Sequence, residues 1–316
     1  AMSESLIRHQ YARLPSLFLR EELEDMVSQV GREYLDGWVL ERTASRGSKR
    51  YVRAFGARAL HIVAGNTPVL SAVTVIRNSV ARGDAIIKAP SNDPFTGIAV
   101  ARTMIELYQP HNIEKIVAWG GFSSVKHVTK YIQPGLELLS FDPKRSISII
   151  GSEAFASEAS MDEAAQRVAT DFGANNQEVC ASARVVYVMS GSDEAGVSKA
   201  EELARRAYDR LLALPVQIST APKGGINRDL LSHIDAASMM DDFYTVIGTR
   251  NGEGGVVVSK LPEPVDFATS LTNRVANFVP VDSIEDILPK VDSYCQTIGI
   301  YPESFIPGIQ DRLALA

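Results

Sequence analysis

Leu60-His-Ile-Val-Ala-Gly-Asn-Thr-Pro68 is the stretch that decides how the first half of this 316-residue chain is read. Leu60–Ala64 is a short apolar run, as a buried strand requires, and Gly65–Pro68 reads as a tight turn. Pro68 suits the first position of a helix, where its missing N–H costs nothing, and the helix is expected over Val69–Val80. The same order recurs downstream. Asp84–Lys88 is a strand ended by Ala89-Pro-Ser-Asn-Asp-Pro94, followed by a helix over Phe95–Tyr108 and a strand over Lys115–Trp119. Gly120-Gly121 and Ser123-Ser124 then open another helix, and Glu137–Phe141 can form a further strand. Strand–turn–helix units at this spacing predict a parallel sheet covered by helices.

Outward from that core, the first fifty residues carry helical apolar spacing at Leu17, Leu19, Leu23 and Met26, broken by an Arg/Ser/Gly stretch at Ser45–Lys49. A second α/β set follows Arg145: strand Ser146–Ile150, helix Met161–Phe172, a polar loop, strand Arg184–Met189 and helix Asp193–Leu212. Asn227–Ile234 reads as a helix, Gly255–Ser259 and Val275–Val281 as strands, and Ser283 with Glu285 and Asp286 as a capped helix start. Gly252-Glu-Gly-Gly255 reads as a hairpin or strand-entry turn, since no Lys-Ser/Thr follows to make it a phosphate loop. The fold class expected is α/β, with two domains, 1–145 and 146–316, built on parallel-rich sheets.

Composition narrows the function. The chain is 45% hydrophobic and 22% charged with a formal net charge of −6, which gives no footprint for nucleic-acid binding. The basic cluster Arg46–Arg58 is local and reads as a solvated face. There is no signal peptide and no apolar run of about 18 residues, so the expectation is a cytoplasmic protein without a transmembrane segment. Two cysteines far apart make no disulfide framework, and neither they nor His61, His111, His127 and His233 show metal-ligand spacing. No metal site is expected.

One cysteine stands out. Cys180 lies in Asp171-Phe-Gly-Ala-Asn-Asn-Gln-Glu-Val-Cys-Ala-Ser-Ala-Arg184, after a polar run and just before the apolar Val185–Met189. A thiol at the mouth of a strand can meet a carbonyl carbon while backbone N–H groups face the oxyanion that develops. A small buried hydrophobe is the plainer reading of a lone cysteine. Cys295, in the helix-like Ile287–Thr297, takes that reading, as a packed core thiol.

Ala64–Pro68, Ile87-Lys-Ala-Pro-Ser91, Trp119–Ser124 and Gln177-Glu-Val-Cys180 stand in an order that resembles the aldehyde dehydrogenase superfamily. His61–Pro68, Lys88-Ala-Pro-Ser-Asn-Asp-Pro-Phe95 and Val279-Pro-Val-Asp-Ser283 resemble more closely its LuxC-type acyl-CoA reductases, the fatty acid reductases. The likeness covers residues 55–316. It implies an aldehyde-dehydrogenase-like fold, with a nicotinamide-binding domain first and a catalytic domain second. Cys180 becomes the nucleophile that takes up the acyl group. Asn66 matches the asparagine whose amide forms the oxyanion hole with the Cys180 N–H. Lys88 matches a lysine that reaches the adenosine ribose. Ser91 stands where NAD-preferring relatives often carry a glutamate, which leans the cofactor to NADPH with NADH still open. Gly120, Gly121 and the N–H groups of Ser123 and Ser124 would cradle the pyrophosphate, although Phe122 replaces a phosphate-touching serine of many relatives.

Two departures bear on the reaction. Aldehyde-oxidising members carry a Glu-Leu-Gly-Gly glutamate that activates water, but Ser140–Ser146 offers no counterpart. Without that base an acyl-enzyme is poorly released to water, yet hydride can still discharge it. The glutamate that grips the nicotinamide ribose is also missing, with Asn273 and Arg274 near its place. The resemblance therefore implies NADPH-dependent reduction of an acyl-CoA or acyl-protein thioester to the aldehyde. The alternatives are an aldehyde dehydrogenase, CoA-acylating or hydrolytic through Glu178, and a nucleotide-binding paralogue without catalysis. Homo-oligomerisation is left open. Reductases of this type are usually longer than this chain, and Asp311–Ala316 stops inside a helical pattern.

Overall fold

In the computed structural model, two parallel-rich sheets carry the helices that the apolar periodicity demands. The structure describes residues 4–316 except 43–48, 66, 68, 105–114, 120, 121, 131, 133, 135, 136, 142, 143 and 223. The chain divides into two units, Ile7–Pro143 and Lys144–Ala316 with Ala1–Leu6.

The first unit takes in helix α1 (Glu4–Arg13) from Ile7 on, α2 (Arg20–Val30) and α3 (Arg32–Asp36) and an antiparallel pair, β1 (Val39–Arg42) with β2 (Lys49–Val52). It continues through β3 (Arg58–Ile62), α4 (Val69–Val80), β4 (Asp84–Lys88), α5 (Thr96–Met104), β5 (Lys115–Trp119), α6 (Phe122–Thr129) and β6 (Glu137–Phe141). The β1–β2 pair falls in a stretch that the apolar spacing assigned to helix. Val39, Leu40, Tyr51 and Val52 favour extended backbone, and pairing satisfies their backbone groups. The four-stranded sheet runs β4-β3-β5-β6, all parallel. One apolar cluster joins Ala72, Val75 and Ile76 of α4 and Val100 of α5 to Leu14, Leu17, Leu23 and Met26. Another gathers Ile116 and Ala118 of β5 with Val128 of α6.

The second unit holds β7 (Arg145–Ile150), α7 (Glu158–Gly173), β8 (Ala183–Val188), α8 (Glu194–Leu212), α9 (Arg228–Ser238), β9 (Tyr244–Gly248), β10 (Gly255–Ser259), β11 (Val275–Pro280), α10 (Ile284–Ile287), β12 (Cys295–Tyr301) and α11 (Ile306–Leu315). Its six strands run β12-β7-β8-β11-β10-β9, parallel except for β9, which forms a hairpin with β10. Gly252 and Gly254, at φ +71° and +116°, make that turn. Helix starts follow their caps: Ser157 and Ser160 form a capping box, Asp193 accepts from the Gly196 N–H, and Asn227 accepts from the Asp229 N–H. Phe172, Leu203, Leu211 and Phe278 fill the core between the sheet and the α7–α8 layer.

Cys295 departs from the expected helix. Helix α10 ends at Ile287, Leu288–Lys290 tightens into a 3-10 turn around Pro289, and the β-branched Thr297-Ile298 then extends as β12. The Cys295 thiol is half-buried against the cluster around Ile147, Tyr187 and Ile287, and burial pushes its pKa up.

Candidate active site

The loop that carries Cys180 is held by buried polar side chains. Helix α7 ends at Gly173, which lies against α8, where a Cβ would stand 2.5 Å from Leu211 Cδ1. Asn175, Asn176 and Gln177 then follow at φ +52°, +56° and +60°. Asparagine tolerates this left-handed region because its short amide can bond locally; glutamine has no such help. Gln177 is 1% exposed, and its amide bridges two strands. Nε2 donates to the carbonyls of Ala183 (2.9 Å) and Val275 (2.8 Å), while Oε1 accepts from the Val275 N–H at 3.0 Å. Asn176 Oδ1 accepts from the Thr220 N–H at 2.8 Å, and the Asn175 N–H donates to the Ile218 carbonyl. Strained backbone persists where its surroundings over-determine it, and here they do.

Cys180 emerges from this anchored loop exposed, three residues before β8. The Ser146 hydroxyl of β7, 1% exposed, donates to the Cys180 carbonyl at 2.7 Å. Among the described residues, no acceptor engages the Cys180 N–H. A nucleophile whose carbonyl is fixed and whose N–H stays free can present that N–H to an oxyanion. Arg184, at the entry to β8, is partly buried and its Nη1 has no hydrogen-bond partner among the described residues. Burial pushes the Arg184 pKa down, and negative charge on Cys180 opposes that push. Glu178, two residues ahead of the cysteine, is partly buried.

In the first unit, β3, β4 and β5 are parallel neighbours, so the residues leaving their C-terminal ends share one edge of the sheet. Lys88 closes β4 with its side chain exposed, and Ser91 is exposed in the loop that follows. The Asn92 amide donates to the Gly65 carbonyl, and any Cβ at Gly65 would collide with Asn92. The turn after β3 and the loop after β4 are thus clamped together. Among the described residues Lys88 makes no ion pair. Ser123 and Ser124 lie in the first turn of α6. Asn66, Gly120 and Gly121 lie outside the described residues.

The family model for acyl-CoA reductase (LuxC) matches residues 1–118 and 109–316. The chain belongs to this family. It is 25% identical over 281 residues to a long-chain acyl-protein thioester reductase of Aliivibrio fischeri, across 81% of this chain and 55% of that one. It is 24% identical over 311 residues to the protein of that name from Photorhabdus laumondii subsp. laumondii, across 90% and 60%. The chain thus spans little more than half the length of these relatives. Among solved structures it resembles the NAD-dependent benzaldehyde dehydrogenase from Corynebacterium glutamicum, with a TM-score of 0.63 and 15% identity over 98% of this chain and 78% of that one. It also resembles Mycobacterium tuberculosis aldehyde dehydrogenase complexed with NAD+, with a TM-score of 0.64 and 13% identity over 97% and 75%. The fold is aldehyde-dehydrogenase-like.

Within this LuxC-family chain, several residues at the site escape a reading by motif. Ser146 and Asn176 act through partners far away in sequence, Cys180 and Thr220, and Arg184 is set by strand pairing; only the Asn-Asn pair, a type that tolerates left-handed backbone, hints at the loop's shape. Asn273 and Arg274, near the place of the missing ribose-binding glutamate, are engaged elsewhere. Arg274 is 3% exposed and donates to the Leu211 carbonyl at 2.7 Å, and Asn273 Oδ1 accepts from the Asn227 N–H at 3.1 Å. Among the described residues there is no group of three or more His, Cys, Asp or Glu that could hold a metal ion, and no helix is long and apolar enough to cross a membrane.

Proposed function

We propose that this protein reduces an acyl thioester, on CoA or on a protein, to the aldehyde through an acyl-enzyme on Cys180, with NADPH as the reductant. The observation that carries the reading is the exposed Cys180 thiol on a loop whose carbonyl is taken by Ser146 and whose N–H is free among the described residues. Family membership supplies the reaction class, since its matched relatives are named acyl-protein thioester reductases.

The residues fit a dinucleotide. The Lys88 ammonium and the Ser91 hydroxyl are exposed at one edge of a parallel sheet, where α/β folds bind such ligands, and neither would repel a 2′-phosphate. The first turn of α6 offers N–H groups for a pyrophosphate. When bound, the nicotinamide supplies hydride to the acyl carbon. The chain's own residues do the rest. The Cys180 thiolate attacks the thioester carbonyl, and its own N–H stabilises the oxyanion, a role to which the family resemblance adds the Asn66 amide. The carrier thiol leaves, and the acyl group on Cys180 is hydrolysed slowly because no glutamate stands where oxidising relatives keep their base. After reduction, Cys180 departs as thiolate and frees the aldehyde.

The test is nicotinamide consumption by the purified protein. Acyl thioester should drive NADPH oxidation with aldehyde formed, and Cys180→Ala should abolish it. Aldehyde-driven reduction of NAD(P)+ that needs no CoA would replace the reading with a hydrolytic aldehyde dehydrogenase.

A further inference from the structure

We infer that Arg184 is the counter-cation of Cys180, a positioning residue that meets the negative charge on its sulfur when the thiol attacks and again when it departs. The strand geometry prepares it. On β7, Ser146 pairs with Ala183 and Ile147 with Val185, so Arg184 is the extra residue of a β-bulge; on β11 the pairing also begins only at Val185. Bulges re-aim side chains and are frequent beside active sites. The same Ser146 that pairs with Ala183 holds the Cys180 carbonyl, which brings the cysteine and the bulged arginine to one corner of the sheet.

A buried donor left without a partner is costly, and a guanidinium more so. Arg184 Nη1 is such a donor among the described residues, on a bulge four residues after Cys180. Among the described residues, Lys144 and Arg145 at this end of β7 are committed. Arg145 pairs with Asp292, and Lys144 Nζ donates to the Ser293 carbonyl at 2.7 Å. Among acidic groups, Glu178 shares the loop, and Asp171 of α7 accepts from the Ser148 hydroxyl at 2.6 Å. A neighbouring cation raises the thiolate fraction of a cysteine at neutral pH, and thiolate is the reactive form.

The catalytic consequence rests on the proposed role of Cys180; the charge pair itself does not. The experiment follows iodoacetamide alkylation of Cys180, resolved by peptide mass, in the parent protein, Arg184→Met, Arg184→Gln and Arg184→Lys. At pH 7 the Met and Gln variants should react about tenfold more slowly, and Lys should recover most of the rate. At pH 10, where thiols ionise whatever their neighbour, all four should agree within about twofold. Cys295 labelling should stay constant and reports on the fold. Parental rates for Met and Gln at pH 7, or equal slowing at both pH values, would overturn the assignment. Thioester reduction that survives Cys180→Ala would instead sink the functional reading and leave the charge pair standing.

Discussion

Strands β10 and β11 are buried along their whole length, whereas β4 and β6 leave most of their residues in contact with solvent. Both sheets are built from apolar strand runs and amphipathic helices, yet they use them differently. In the cysteine half the deep core is also the anchor of the reactive loop, because Gln177 reaches through it to both Ala183 and Val275. On its outer face Arg206 of α8 ties that helix to Glu158 and Asp162 of α7 and pairs with Glu202 of its own helix. In the first unit the residues proposed to meet the nucleotide, Lys88 and Ser91, are exposed, and the Asn92 amide clamps their loop to Gly65. A group that performs covalent chemistry needs fixed geometry, while a surface for a soluble cofactor needs access. On the proposed function, the two halves divide those demands.

Substitutions can break that contrast, beginning with the largest effect. Cys180→Ala should lower thioester reduction by at least about a thousandfold, as the loss of a covalent nucleophile does, with nucleotide affinity unchanged. Steady-state kinetics with direct titration of NADPH checks both halves of the statement. Gln177→Ala strands the Ala183 and Val275 carbonyls and the Val275 N–H, and should cost about 3 kcal/mol of stability. Asn92→Ala, the matching anchor of the other half, breaks one bond at the surface and should cost about 0.5 kcal/mol. Denaturant titration of the two variants compares them, and equal losses would erase the distinction between an anchored and an open half.

Ser91→Glu should weaken NADPH by about tens- to a hundredfold and NADH much less, because a carboxylate there repels a 2′-phosphate. Equal weakening of both would show that Ser91 does not face the ribose. The smallest effect concerns Asp171. Burial holds its carboxyl above the usual carboxylate range, against the hydrogen bond from Ser148. A carboxyl whose folded-state pKa is raised lets stability fall as pH rises from the ordinary carboxylate range through the folded value, and the loss persists above it. Asp171→Asn should therefore melt slightly higher than the parent at pH 7, with the gain gone at about pH 3, where both carboxyls are protonated. A gain that persists in acid would assign it to packing.

Elements with strong local signals were legible in the sequence. The strand–turn–helix run from Leu60 onward, the helix starts at Asp193 and Asn227, the capped start at Ser283, and the hairpin glycines at 252 and 254 each state their geometry within a few residues. The β1–β2 pair and β9 were not legible, because short strands are defined by a partner and carry little period of their own. Of the residues proposed to act, Cys180, Lys88 and Ser91 were named by motif and resemblance. Ser146 and Arg184 were not, since one acts by a hydrogen bond 34 residues away and the other by a bulge that exists only once β7 and β8 pair.

The account turns on whether Cys180 carries the acyl group and gives it up to hydride rather than to water. Intact-protein mass spectrometry with peptide mapping, after mixing with acyl-CoA and no nicotinamide, answers this directly. The acyl group should appear on Cys180 and persist, because general-base help worth about 10²–10⁴-fold is missing, and NADPH should then discharge it as aldehyde. An adduct on Cys295, or rapid release of free carboxylic acid before NADPH is added, would contradict the account.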